Sequence, residues 1–267
     1  VYCPKKPSEI FMSGKINRFP VAEAKAHKQY LLETGLWDRR FELYRDPETQ
    51  KIKAVPSKKE LAVFPHKGGT IDAPFLIFAD LPKEKPIYGT YTAGFDDYAQ
   101  EDSETASVAT FYVMKNEVIG DPFSNKIVAS ISTRPEKHSD LWEKWLLLME
   151  AYNLDQTCFG ENANYAIKDF LDKRKLSEKY LAPSLNFSAN FNLPNNQKRL
   201  TGWTPQSSKK FLFDLFVDYC NETYEIIQED GSMKLLKGVQ LIDDIGLLEE
   251  IIQWNENLNV DRIIAAM

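Results

Sequence analysis

The chain has 267 residues, with 33 basic against 39 acidic side chains and a formal charge of −6. With 43% hydrophobic and 27% charged residues it can bury a sizeable core, which excludes an intrinsically disordered chain. No apolar run approaches the ~20 residues of a membrane span, and the net acidity excludes a protein that coats nucleic acid by bulk charge, though not a local basic groove beside an acidic metal site.

In chain order, residues 1–86 read as an adapter segment. Pro7 to Phe11 starts a helical turn, and Val21 to Leu36 has helical spacing, with Gly35 near its end. Phe41 to Tyr44, a polar turn Asp46 to Thr49, and Lys51 to Val55 predict a hairpin. His66 to Thr70 is a loop and Pro82 to Pro86 a charged, proline-bounded linker. The chain opens at Val1 without an initiator Met or a signal-like apolar stretch and stops at Met267 inside a predicted helix, so the expectation is a fragment of a longer protein.

Residues 87–267 carry a tighter pattern. Ile87 to Phe95 predicts a strand running into Asp96 and Asp97, followed by strands Ala106 to Met114 and Lys126 to Thr133 in an antiparallel meander. A helix from Ser139 to Tyr152, a short strand Gln156 to Gly160 ending at Glu161, and a helix Asn162 to Lys175 come next. Pro205 to Asn221 predicts a helix burying Phe211, Leu212, Leu215, Phe216 and Tyr219. A hairpin around Glu229 to Ser232, a helix Leu241 to Trp254 and a last helix from Asn259 complete an α/β chain with a mixed sheet.

Cys3, Cys158 and Cys220 are too few and too far apart for a disulfide framework or zinc knuckle, and fit a reducing cytosol. Only three histidines, His27, His66 and His138, leave little material for a Cys/His protease or a His-rich metal site. There is no GxSxG, GxGxxG or HExxH, and the acids between Asp96 and Ser107 lack the glycine of an EF-hand loop. No GxxxxGK[ST] phosphate loop occurs, so no P-loop ATPase is encoded in this stretch.

Acids remain as the candidate chemistry. Asp96 ends a buried strand, where an anion is costly unless a cation or donor sits beside it; a turn-starting Asp is the plain alternative. Glu161 follows the Gln156 to Gly160 strand, and Asp261 lies in the first turn of the last helix. If the first and fourth strands are neighbours and the last helix crosses them, three carboxylates converge. They would need a hard divalent ion, Mg²⁺ or Mn²⁺.

The tract Tyr91 to Met114, the strand ending in Glu161-Asn162 and the late Asn259-Val260-Asp261-Arg262 resemble the nuclease domain of viral terminase large subunits, the DNA-packaging motors of tailed phages and herpesviruses. Pro7 to Phe11 is similar to the segment after the motor domain in that family. The resemblance implies an RNase H-like fold: a three-strand antiparallel meander plus parallel strands, flanked by helices. It also implies metal-dependent cutting of concatemeric double-stranded DNA in the host cytoplasm.

By the same resemblance Asp96, Glu161 and Asp261 are the catalytic acids and hold two divalent cations, Mg²⁺ or Mn²⁺. Of the loop acids Asp97, Asp102 and Glu104, the last, just before the second strand, is the candidate auxiliary ligand, since a hairpin could bring it back toward Asp96. The implied partners are double-stranded DNA, the ATPase motor domain of the same protein, the portal and the small terminase subunit. Candidate DNA contacts are Lys173, Arg174, Lys175, Lys198, Arg199, Lys209 and Lys210, clusters of a kind that is more often a solvated helix face. Ser177 to Thr204 is either a loop over the site or a structural flap. Two alternatives stay open. One is a docking module for the portal or motor domain, with structural acids. The other is a different RNase H-like enzyme, such as a resolvase or an integrase, which would leave the adapter unexplained.

Overall fold

A seven-stranded mixed sheet organises the computed structural model, which describes residues 17–98, 107–160, 166–183, 209–227, 231–255 and 258–267. Its strands are β1 (Arg40–Arg45), β2 (Ile52–Pro56), β3 (Phe75–Ile77), β4 (Tyr91–Asp96), β5 (Ala109–Lys115), β6 (Lys126–Thr133) and β7 (Cys158–Gly160), in the spatial order β2-β1-β3-β6-β5-β4-β7. Neighbours pair antiparallel except β4 and β7, which run parallel. The antiparallel meander β4-β5-β6 with a parallel strand beside β4, flanked by helices, is the mixed α/β arrangement expected from the sequence.

Helices cover both faces. Alternation along β5 sends Phe111 and Val113 to one side and Tyr112 to the other, and all three are buried. The first side packs on α2 (His138–Ala151), whose Leu141, Trp145, Leu148 and Met149 form one stripe, and on α3 (Ala166–Asp172) and α4 (Ser177–Tyr180). Each large side chain buried there contributes about 1.5–3 kcal/mol. The second side receives α1 (Val21–Thr34), α5 (Lys209–Asn221), α6 (Ile245–Gln253) and α7 (Asp261–Ala266). A two-stranded hairpin, β8 (Thr223–Ile227) and β9 (Met233–Lys237), links α5 to a 3-10 turn before α6.

The N-terminal segment is built into this sheet. β3 pairs with β6 at Leu76 and Ser130, β1 pairs with β3, and α1 lies against α6, with Leu31 in the shared core and Lys28 ion-paired to Glu249. The predicted strand from Ile87 begins only at Tyr91, because Ile87 to Thr90 close a turn through the Thr90 amide and the Ile87 carbonyl. On α5 the buried side chains are Phe216, Val217 and Cys220. Phe211 and Leu215, expected in the core, are 38% and 47% exposed.

α7 crosses the second face in close contact with β4. A methyl group built on Gly94 would come within 2.1 Å of the Ala265 carbonyl oxygen, so the helix rests on bare strand backbone. Gly94→Ala is expected to push α7 off β4 and cost about 1–3 kcal/mol, read as a lower urea midpoint. A midpoint equal to wild type would show that α7 does not sit on this glycine.

Candidate functional site

Period-two alternation divides the end of β4 between the two faces. Ala93 and Phe95 enter the α2 core, so Gly94 and Asp96 point toward α7. Asp96 is the last residue of the strand. Its Cα partner on β5 is Thr110, whose partner on β6 is Ser132, and Thr110 Oγ1 bonds Ser132 Oγ at 3.2 Å. A polar row thus crosses three strands at this end of the sheet.

Asp261 reaches the same end from the helix layer. Four residues separate it from Ala265, a rise of about 6 Å in a helix, and two residues separate Asp96 from Gly94, about 6.6 Å in a strand. Since Ala265 lies on Gly94, the two carboxylate-bearing residues stand level if α7 runs antiparallel to β4. It does: the backbone N–H of Val108, two residues before Thr110 on the way into β5, donates to Asp261 Oδ2 at 2.9 Å. Asp96 and Asp261 are therefore brought to one face and one end of the sheet.

Asp261 is 8% exposed, and burial pushes its carboxyl above the usual range, partly offset by the Val108 N–H and the Asn259 amide at 3.1 Å. The adjacent Arg262 favours the charged form through space but makes no ion pair with it. That guanidinium is buried on the far side against Glu250 (Nη1 to Oε1, 3.0 Å) and the Ala62 carbonyl, passing over Gly246, where a methyl group would meet Nε at 2.6 Å. Among the described residues no ion pair reaches Asp261. A buried carboxylate that has two N–H donors and only distant help from Arg262 and His66 fits an oxygen-ligated divalent ion.

Glu161 and Glu104 lie outside the described residues, as do Asp102, Lys198 and Arg199. β7 ends at Gly160 opposite Phe95, so the strand preceding Glu161 terminates next to Asp96 in the sheet. Among the described residues no group of three or more His, Cys, Asp and Glu ligands forms.

Asp97 belongs to the other face. It accepts the Trp142 indole N–H at 3.0 Å and faces His138 Nε2 at 3.7 Å, and burial raises its carboxyl pKa. The imidazole of His138 stacks on Trp142 and lies against Tyr98. Of the Asp96-Asp97 pair, the first thus faces the site and the second anchors α2, a division that the period of a strand predicts once its end is known.

The basic candidates separate likewise. Lys173, Arg174 and Lys175 are exposed beyond α3 on the α2 side, where Arg174 pairs with Glu143 and lies 3.7 Å over the Phe170 ring. Lys209 and Lys210 are exposed at the start of α5, on the opposite face. The structure does not join these two clusters into one groove. Beside Lys209 a mainly apolar cavity of about 360 Å³ opens between β4, α5 and the end of α7, lined by Met114, Leu212, Leu215 and Ile264 among others. Its titratable lining side chains are Lys209, Tyr112 and Tyr219, with no carboxylate among them.

Sequence reasoning missed three residues of this region. Gly94 permits the helix contact, Glu250 caps α7 by accepting the Arg262 and Ile263 N–H groups at 3.0 and 3.1 Å, and Asn259 bonds Asp261. Only Asn259 had a local signal, its spacing two residues before the acid.

No family model matches the chain, and no curated protein matches it in sequence. Solved structures similar to it are the large terminase nuclease of thermophilic phage G20c with bound zinc (15% identity, TM-score 0.41, covering 77% of this chain and 90% of that one), the same nuclease with bound magnesium (15%, 0.33, 75% and 100%) and the large terminase nuclease domain of Thermus phage P74-26 (14%, 0.32, 70% and 89%).

Proposed function

We propose that the chain is a metal-dependent DNA endonuclease domain of the terminase large-subunit type, cutting concatemeric double-stranded DNA during viral genome packaging. The observation that carries this reading is the convergence of Asp96 and Asp261, one from a strand end and one from a helix start, on one end of the sheet. The sequence motifs around both residues, and the order of strands that delivers them, support it as well.

In this reading Asp96 and Asp261, with Glu161 and the auxiliary Glu104, would hold two divalent cations, Mg²⁺ or Mn²⁺. When bound, such ions acidify a water and neutralise charge developing on a phosphodiester. The protein's own part is positional. Asp96 is fixed at the end of β4, paired on both sides by β5 and β7, and Asp261 is held by the Val108 N–H in a site where burial strengthens its attraction for a cation. Lys209 and Lys210, or Lys173, Arg174 and Lys175, would meet phosphates without reading sequence. The implied assembly comprises double-stranded DNA, the ATPase motor domain, the portal and the small terminase subunit, in the host cytoplasm. No helix among the described residues is long and apolar enough to cross a membrane.

Supercoiled plasmid incubated with the protein is expected to be nicked and linearised with Mn²⁺ or Mg²⁺ and left intact with EDTA. The rate should fall steeply between ~50 and 200 mM salt if phosphate contacts dominate binding. Cleavage that persists in EDTA would overturn the metal reading, and a rate indifferent to salt would remove the basic side chains from it.

A further inference from the structure

Asp261 is held by a chain of contacts that runs back to the N-terminal part of the sheet. The Asn259 side-chain amide donates both to Asp261 Oδ2 (3.1 Å) and to Ser107 Oγ (2.8 Å). Its orientation is set chemically, since a flip would turn the amide oxygen onto the carboxylate. The Ser107 carbonyl in turn accepts Arg134 Nη1 at 2.7 Å. Arg134 lies with its guanidinium 4.4 Å from the Tyr98 ring centroid, and its backbone bridges to Ile71 in both directions at 2.7 and 2.9 Å. Both N–H donors to Asp261 among the described residues, Val108 and Asn259, converge on Oδ2. That leaves Oδ1 as the oxygen to face a cation, with the plane of the carboxylate fixed from one side.

We propose that Asn259 is a positioning residue that aims Asp261 at the divalent cation, with Ser107 and Arg134 as its footing. The proposal rests on the nuclease reading above. Asn259 is exposed, so its amide adds little burial, and its two bonds serve the orientation of neighbouring groups. Outer-shell partners of metal-binding carboxylates and imidazoles typically change metal affinity by 10–100-fold when removed.

The test is calorimetric titration of Mn²⁺ into wild type, Asn259→Ala, Ser107→Ala and the double variant, with thermal melts of each in EDTA. Asn259→Ala is expected to weaken Mn²⁺ about 10–100-fold with the melting temperature little changed. Ser107→Ala should weaken it less, and add little on the Asn259→Ala background because it acts through the same amide. Asn259→Ser, which keeps a short donor, should recover part of the affinity. Unchanged Mn²⁺ affinity in Asn259→Ala while wild type binds the ion would overturn the positioning role alone. A loss of affinity that tracks a fall in melting temperature would overturn it too, by making the residue structural. Absence of Mn²⁺ binding by wild type would overturn the nuclease reading and the proposal with it.

Discussion

Asp96→Asn and Asp261→Asn are each expected to abolish Mn²⁺-dependent plasmid cleavage, by about 1,000-fold or more, while the protein folds as before. The estimate follows from charge. Losing one anionic ligand forfeits several kcal/mol of metal-borne stabilisation, and ~4 kcal/mol corresponds to about three decades in rate. The substitution keeps shape, and an amide oxygen at position 261 can still accept the Val108 N–H.

Asp261→Asn has a second expected consequence. Burial raises the Asp261 carboxyl, so in metal-free protein this group contributes stability that is present below the ordinary carboxylate range and lost as pH rises through its elevated value. At neutral pH the neutral amide removes that penalty. The inactive variant should therefore melt in EDTA at the same temperature as wild type or higher, and the pH dependence of the melt should flatten. Undiminished cleavage by either variant would remove that residue from the site.

Glu250→Ala is expected to destabilise the fold by about 3–5 kcal/mol, because it leaves the Arg262 guanidinium buried and unpaired. That is a large share of the 5–15 kcal/mol typical of a domain. The same carboxylate caps α7 through the Arg262 and Ile263 amides, so its loss also frees the start of the helix that carries Asp261. Burial raises the Glu250 carboxyl, against the pull of Arg262, whose own proton is held more tightly by the pair. Glu250→Gln, which can still accept an amide bond, should cost less. Replacing both partners by apolar residues should recover much of the loss. Urea melts measure all three, and a cost under ~1 kcal/mol for Glu250→Ala would show that α7 is held elsewhere.

The strands at Lys126 to Thr133 and before Asp96, and the helix after Lys137, were legible because alternation and helical spacing are written in consecutive residues. β3 was not. Phe75, Leu76 and Ile77 are buried on both faces and too few to show a period, so the pairing that joins residues 40–77 to the sheet has no local signature. The side of α5 carrying Phe211 and Leu215 was misjudged for a related reason. Helical spacing identifies an apolar stripe, whereas which part of it meets another element depends on where that element stops; Leu215 faces the cavity beside α7.

By itself the sequence determined most of the elements, the acidic residues at a strand end and a helix start, and a scarcity of His and Cys that leaves oxygen atoms as the ligands any metal would meet. Only the tertiary structure decided that Asp96 faces α7 while Asp97 turns into the α2 core, that Gly94 lets α7 lie on β4, and that Arg262 pairs with Glu250 and not with Asp261. The physical reason is range. Periodicity and capping arise between residues a few positions apart, whereas the bond from Val108 to Asp261 and the packing of α7 on β4 join segments more than 150 positions apart.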